Sequence, residues 1–210
     1  MDDLTNTLAL SLGGAWAAGI NLYAAIFMLG WMGMTGAVDL PSGLQFLQEP
    51  VVMMAAGAMF LAEFFADKIP GVDSAWDAVH TFIRIPAGAY IAANGFGDAS
   101  PAMELFGGAA GGALAASSHF TKSGSRALIN TSPEPFSNWF ASLSEDAVVI
   151  GSIWASIHHP VLFLFFLIAA VAFSIWLIPR LWRGIKFVFR KVAGLFGKKP
   201  ADTPAPPEKS

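Results

Sequence analysis

The residues most able to do chemistry in this sequence are ionisable side chains placed at helical spacing within apolar segments. Four of them recur every three or four residues and fall within about 60° of one another on an α-helix. They are Asp73, Asp77, His80 and Arg84. Charged groups at membrane depth are costly and usually line a polar interior or a water-filled path. The pattern therefore favours movement of an ion or a proton over catalysis.

Other polar residues are predicted to face the same interior. Asn21 is the lone strongly polar side chain in the middle of the first apolar segment. The predicted pathway residues are Asn21, Glu63, Asp67, Asp73, Asp77, His80, Arg84, Glu104, His119, Asn138, Glu145 and Asp146. Arg84 should be buried and paired with Asp77, Glu63 or an acid of the fifth segment. A purely structural set of ion pairs is the alternative.

Glu145 and Asp146 lie near the middle of the fifth apolar segment, so they are hard to place among lipid headgroups. Ser144 and Glu145 could instead cap a half-helix, with the chain broken there. A broken helix directs its dipole at a substrate or an ion, which is a recurring feature of transporters.

Catalytic and cofactor-binding motifs are absent from the sequence. It contains no HExxH, GxSxG or P-loop pattern. It has no cysteine, which excludes disulfides, iron–sulfur clusters and thiolate metal sites. We therefore predict no cofactor and no enzymatic activity, and His158-His159 is weak as a metal site without nearby carboxylates. A net charge of −3 gives no reason to expect nucleic acid as a partner.

The segments that must position these side chains are apolar enough to cross a membrane. Hydrophobic residues make up 55% of the chain and charged residues 13%, against about 25% charged in soluble proteins. Residues 161–178 are apolar except Ser174, close to the ~20 residues that a crossing needs. We predict an all-α, polytopic membrane helix bundle with about six spans. They lie near residues 8–34, 50–67, 73–96 (with Asp73 as the N-cap), 101–120, 137–159 and 161–178, and residues 121–135 form a polar loop.

Basic residues orient the predicted bundle. The sixth span is followed by Arg180, Arg183, Lys186, Arg190, Lys191, Lys198 and Lys199. Such clusters stay in the cytoplasm, so six spans place both termini there. Residues 180–196 are predicted to form an amphipathic helix that binds the anionic inner leaflet through the first five of these residues. A plain extension of the sixth span is the alternative, and residues 197–210 are predicted to be a disordered tail.

Glycine-rich stretches predict close helix packing. Overlapping GxxxG patterns let helices approach one another and would also allow a homo-oligomer. They are formed by Gly107, Gly108, Gly111 and Gly112. Residues 12–19 resemble residues 106–113, which suggests two three-helix halves inverted in the membrane, a transporter design. A competing match pairs the segments that begin at Pro50 and Pro160.

Distinctive strings recur along the chain. The longest, from Glu63 to Asp77, reads EFFADKIPGVDSAWD, and HTFIR follows at 80–84. Shorter ones are AGINLY at 18–23, Ser137-Asn138, SED at 144–146 and His159-Pro160. Together they resemble the bacterial DUF4126 family of integral membrane proteins, from about residue 10 to residue 178. The resemblance implies a multi-pass protein of the bacterial inner membrane, and the family's name records an unknown function.

The leading functional hypothesis is a small transporter or channel-like protein for a cation or a proton-coupled solute. The acids outnumber the bases that are predicted to be buried, which favours a cationic passenger. Glu63-x-x-x-Asp67-Lys68 is similar to the acidic signature of small cation exchangers, although the glycine is absent and the acids are spaced one residue further apart. Two alternatives stay open: a membrane scaffold or lipid-binding protein, and an intramembrane enzyme.

Overall fold

The computed structural model describes residues 2–96, 100–131 and 135–196, and the regular structure in these ranges is entirely helical. It consists of α1 (Asp2–Ile20), α2 (Leu22–Met34), a 3-10 helix (Ser42–Gln48), α3 (Pro50–Ala66), α4 (Val72–Gly95), α5 (Pro101–Ile129), α6 (Pro135–His158) and α7 (Pro160–Phe196). The all-α prediction is confirmed. Proline opens α3, α5 and α7, where a missing N–H costs nothing and its fixed φ suits a helix.

The bundle is apolar outside and charged inside, the reverse of a soluble protein. Phe82, Leu105 and Phe140 are 83%, 77% and 76% exposed on its surface. Glu63 and Arg84, in contrast, are fully buried. Charged side chains are almost never fully buried unless they are paired. This distribution suits a protein whose outer surface faces lipid.

Two of the described helices are long and apolar enough to cross a membrane. They are Phe136–His158 and Pro160–Lys191. The 3-10 helix and α3 would add a third span if they are counted together across the 69° bend between them. Helices α4 and α5 have 24 and 29 residues but are more polar. The structure therefore supports membrane association with two to three candidate spans.

The first predicted span is two helices rather than one. Asn21 has an extended backbone (φ −144°, ψ 98°), and its side-chain oxygen accepts a hydrogen bond from Ala24 N at 3.0 Å as the N-cap of α2. A Cβ at Gly14, about two turns before the break, would lie 3.4 Å from Leu29 Cδ1, about two turns after it. The helices α1 and α2 therefore fold back on each other as a hairpin with Asn21 at its tip. The half-helix predicted at Ser144 does not exist, since α6 is continuous.

The open end of this hairpin lies at one end of the bundle. Asn6 and Thr7 of α1 line a cavity of about 340 Å³ together with Val38 and Pro41, which follow α2. Ser156, near the end of α6, lines the same cavity. The start of α1 and the chain after α2 are therefore at the same end of the bundle.

The C-terminal part of α7 lies at the opposite end. Early in α5, Gly107 packs against Phe96, next to Gly95, and a Cβ at Gly95 would collide with Ser11 of α1, nine residues before the end of that helix at Ile20. Late in α5, a Cβ at Gly124 would lie 3.1 Å from Leu181 of α7. The 29 residues of α5 separate these contacts by several turns. The two ends of the described chain are thus at opposite ends of the bundle, whereas six spans would place them at the same end.

Several predicted boundaries need correction. Residues 121–129 continue α5 instead of forming a polar loop. Helix α4 begins at Val72 after Gly71, whose φ of 86° is left-handed, so Asp73 lies inside the first turn and is not the N-cap. Helix α7 continues through Pro179, so the basic segment extends it and the helix does not end at 178. The predicted disordered tail, residues 197–210, lies outside the described residues.

Glycine brings α4 and α5 together, as the GxxxG patterns predict. A Cβ at Gly111 would collide with Ala92 and lie 2.8 Å from the Gly88 carbonyl oxygen. One at Gly107 would lie 2.7 Å from the Ala92 carbonyl oxygen. At Gly112 the nearest atom would be 3.4 Å away, an ordinary contact. The close approach therefore depends on the Gly107/Gly111 pair and not on the Gly108/Gly112 pair.

Candidate functional site: a buried ion network

Most of the predicted polar residues converge where α3 to α6 meet the tip of the α1–α2 hairpin. Seven ionisable side chains form a continuous set of salt bridges there, which we call the ion network. Its members are Glu63, Asp67, Asp77, Arg84, Lys122, Arg126 and Glu145. Six of these side chains are almost fully buried, and that of Glu145 is 17% exposed.

Lys122 is at the centre of the ion network. Its ammonium group is 3.0 Å from Glu63 Oε1 and 2.9 Å from Asp67 Oδ2. The ammonium group also donates to the carbonyl oxygen of Ile20, the last residue of α1, at 3.1 Å. Glu145 Oε2 and Asp77 Oδ1 follow at 3.5 and 3.8 Å. A helix C-terminus attracts a cation through its unsatisfied carbonyls, so the break at the tip of the hairpin contributes to holding this charge.

Arg84 bridges two carboxylates from different helices. Its Nη2 donates to Glu63 Oε1 at 2.6 Å, and its Nη1 donates to Asp77 Oδ1 at 2.9 Å. His119 Nδ1 lies 3.4 Å from the same Nη1. The prediction that Arg84 is buried and paired with Asp77 or Glu63 is confirmed.

Arg126 connects the ion network to α6 through Glu145 and Asn138. Its Nε and Nη2 donate to the two carboxylate oxygens of Glu145 at 3.0 and 2.6 Å, the paired geometry that arginine favours. Its Nη1 donates to the carbonyl oxygens of Asp67 and Asn138 at 2.9 and 3.1 Å. Arg126 thereby ties the end of α3 to α5 and α6.

The ion network holds more acids than bases. Four carboxylates face two arginines and one lysine, which leaves one negative charge in excess when all are ionised. Among the described residues, Glu63 Oε2, Asp67 Oδ1 and Asp77 Oδ2 are buried without a hydrogen-bond partner. Buried charge without compensation is costly. The ion network is therefore suited to bind one further proton or cation.

Other predicted pathway residues flank the ion network. Asn21 Nδ2 donates to Asp146 Oδ1 at 3.0 Å, which links the hairpin tip to α6. His119 Nε2 lies 2.7 Å from the Thr81 hydroxyl, and His80 Nε2 lies 3.0 Å from the Tyr23 hydroxyl.

A second polar cluster lies at the edge of the ion network, between α4, α5 and α6. Asp73 accepts from Asn130 Nδ2 at 2.7 and 2.9 Å, and from the backbone N–H groups of Gly71 and Ser74. Asn138 Nδ2 donates to Asn130 Oδ1 at 2.7 Å. These contacts satisfy the Asp73 carboxylate locally.

Glu104 does not join the ion network. Its side chain is exposed in the first turn of α5. An acid there favours the positive end of the helix dipole. About four turns separate it from His119, so the two residues share a helix face but not a depth in the bundle.

The two bases that α5 adds to the ion network, Lys122 and Arg126, were absent from the predicted site residues. Both fall within residues 121–135, which were predicted to form a polar loop. Together with His119 they recur every three or four residues, so the helical spacing that identified the stripe on α4 also marks this one. Their inclusion changes the charge balance from a marked excess of acid to an excess of one.

A cavity reaches the ion network from the side of the bundle. It has a volume of about 510 Å³, and both Lys122 and Glu145 are among the residues that line it. Its other walls come from α1 and α7, including Trp16 and Phe166. The partial exposure of Glu145 is explained by this opening.

The described residues contain no group of three or more His, Cys, Asp and Glu side chains placed to hold a metal ion. The buried carboxylates face bases instead of one another, since Lys122 Nζ lies between Glu63 and Asp67.

The fold and the site define an α-helical bundle of membrane type with an ionised interior. A family model described as "Domain of unknown function (DUF4126)" matches residues 8–180, so the chain belongs to this family, as its sequence strings predict. Neither a curated protein nor a solved structure matches the chain.

Proposed function

We propose that this protein is a small membrane transporter or channel-like protein for a monovalent cation or a proton-coupled small solute. One observation carries the proposal: a buried ion network with one carboxylate in excess is reached from a cavity through Glu145. An ion network that served only to stabilise the fold would gain nothing from an unbalanced charge, because a buried unpaired charge costs roughly several kcal/mol. A proton or cation that passes through the network would neutralise this excess negative charge.

The broken first segment supports the same proposal. The end of α1 presents the Ile20 carbonyl to Lys122, and Asn21 at the tip of the hairpin contacts Asp146. Broken helices whose ends face a charged site near the middle of the membrane are a recurring transporter design. Movement of the hairpin tip would therefore change the environment of both charges.

We propose five crossings, α3 to α7, with the α1–α2 hairpin entering and leaving from the outer side. The basic end of α7 is then cytoplasmic by the positive-inside rule, and the start of α1 is outside. This replaces the six spans with both termini in the cytoplasm. An inverted repeat is not retained, because α5 has no break that would correspond to Asn21.

Cysteine labelling tests this arrangement, because the chain has no cysteine of its own. In intact bacterial cells, a membrane-impermeant maleimide should label Leu4→Cys and Ala37→Cys. It should label Thr131→Cys only after the membrane is permeabilised. All three positions are exposed on the bundle surface. Six spans would give a different result, with Leu4→Cys protected like Thr131→Cys.

A flux assay tests the transport function. The purified protein, reconstituted in liposomes with pH- and cation-sensitive dyes, should move protons or a monovalent cation. Glu63→Gln and Glu145→Gln should reduce the flux at least about tenfold, because Gln keeps the shape of the side chain but loses its charge and its exchangeable proton. Each variant is first checked for a monodisperse profile by size exclusion.

The matched control is Glu104→Gln, which makes the same chemical change at an exposed position outside the ion network. It should leave the flux unchanged. If the wild type moves no proton or cation across a broad ion panel, the transport proposal is overturned.

A lipid-binding scaffold is the second candidate, and one observation favours it. The five basic residues of α7 from Arg180 to Lys191 are exposed on the bundle surface. They are Arg180, Arg183, Lys186, Arg190 and Lys191. Each Lys or Arg near an anionic leaflet contributes about 1 kcal/mol of attraction. A folded protein that binds anionic vesicles but carries no flux would favour this function.

A further inference from the structure

The cavity beside the ion network continues into an apolar groove on the surface of the bundle. The groove lies between α6 and α7 and has a volume of about 650 Å³. Val148, Phe166 and Ala169 line both the groove and the cavity of about 510 Å³. Phe166 and Ala169 are themselves exposed on the lipid-facing surface. A molecule dissolved in the membrane can therefore reach the ion network sideways, without passing through water.

The walls of the cavity differ between its two ends. Aromatic side chains, among them Trp16, Phe166 and Phe173, form the apolar part. Lys122 and Glu145 form the polar part, next to hydroxyl groups of α5 and α7. Its volume is within the range of about 300–1,000 Å³ that suits a drug-sized ligand. A lipophilic molecule that carries a single charge matches this division.

The charges around the cavity decide which lipophilic ion it favours. The ion network carries one carboxylate in excess, and Glu145 is its most exposed member. Asp146 adds a further buried carboxylate, whose Oδ2 has no hydrogen-bond partner among the described residues, and the nearby buried ammonium of Lys68 offsets its charge, so the excess stays at one. Aromatic faces also attract cations. A positive charge is therefore favoured at the polar end, and a negative charge is disfavoured.

We propose that this cavity binds a monovalent lipophilic cation that enters from the lipid through the α6–α7 groove, with its charge attracted by Glu145 and its apolar groups against Trp16, Phe166 and Phe173. The inference rests on the proposed function in one respect, since it names the class of substrate for that site. Binding itself does not depend on transport.

Equilibrium binding of labelled tetraphenylphosphonium to the purified full chain in nanodiscs tests the proposal. Tetraphenylborate serves as the charge control, because it has the same shape and the opposite charge. The phosphonium ion should bind saturably and the borate should fail to compete. Glu145→Gln should weaken binding about tenfold or more, because it removes a charge within a few ångströms of the ligand. Glu104→Gln should have no effect.

A second variant covers the case in which Glu145→Gln does not fold. Ala169→Trp fills the passage between groove and cavity at an exposed position, and should reduce binding at least about tenfold. Ala172→Trp places the same side chain elsewhere on the exposed surface of α7 and should not. Equal binding of the phosphonium and borate ions, or equal effects of the two tryptophan variants, would overturn the proposal.

The two proposals can fail separately. Flux of protons or inorganic cations without phosphonium binding would overturn this inference and leave the proposed function standing. Saturable, Glu145-dependent phosphonium binding without flux would support the cavity as a binding site and remove the transport function.

Discussion

Replacing Lys122 with methionine should destabilise the folded protein by about 3–5 kcal/mol, the usual cost of removing one partner from a buried ion pair. The loss leaves Glu63 and Asp67 with weaker compensation and the Ile20 carbonyl without its donor. In a polar loop, where Lys122 was predicted to lie, the same change would cost almost nothing. The measurement is SDS-induced unfolding in mixed micelles.

Lys186→Met is the matched control, since Lys186 is exposed on α7. It should shift the unfolding midpoint little. The double variant Lys122→Met/Glu63→Gln should recover part of the loss, because it removes one of the stranded charges together with its partner. An effect of Lys122→Met no larger than that of Lys186→Met would show that the ion network does not stabilise the fold.

Gly111→Val should cost about 1–3 kcal/mol or more, as overpacking of a close helix contact does. The first added carbon would collide with Ala92 and press on the Gly88 carbonyl. Separation of α4 from α5 would also displace Arg84 from His119 and Lys122 from Asp77, since these pairs join the same two helices. The same unfolding assay reports the stability.

Gly112→Val is the control one residue away on the same helix. Its Cβ would meet only Ala89, at 3.4 Å, so a much smaller loss is expected. Both changes carry the same cost in helix propensity, because the host helix and the substitution are identical. A difference between them therefore measures packing alone, and equal effects would contradict the assigned contact.

Some features that depend on local sequence pattern were predicted correctly. The joint between α6 and α7 was predicted from Pro160, because the first turn of a helix tolerates proline, and α7 begins at this residue. The burial and pairing of Arg84 followed from its spacing with Asp77. Membership of the DUF4126 family followed from the string between Glu63 and Asp77.

Features that depend on tertiary contacts were missed. The sequence of residues 121–135 predicts a loop, because Thr121, Ser123 and Ser125 have modest helix propensity. Its helix is held by Lys122 and Arg126 in the ion network and by Gly124 against Leu181. The break at Asn21 was missed because apolar residues continue on both sides of it.

The distribution of apolarity along the chain has a consequence for biosynthesis. The described helices that would insert readily on their own, α6 and α7, are made after those that hold most of the charges. Before α6 is synthesised, Arg126 lacks its main partner, Glu145. The helices that are synthesised earlier are therefore at the membrane with some of their charges unpaired. We therefore expect insertion to be a concerted late event, in which neutralisation of α5 by α6 and the entry of α7 complete the bundle together.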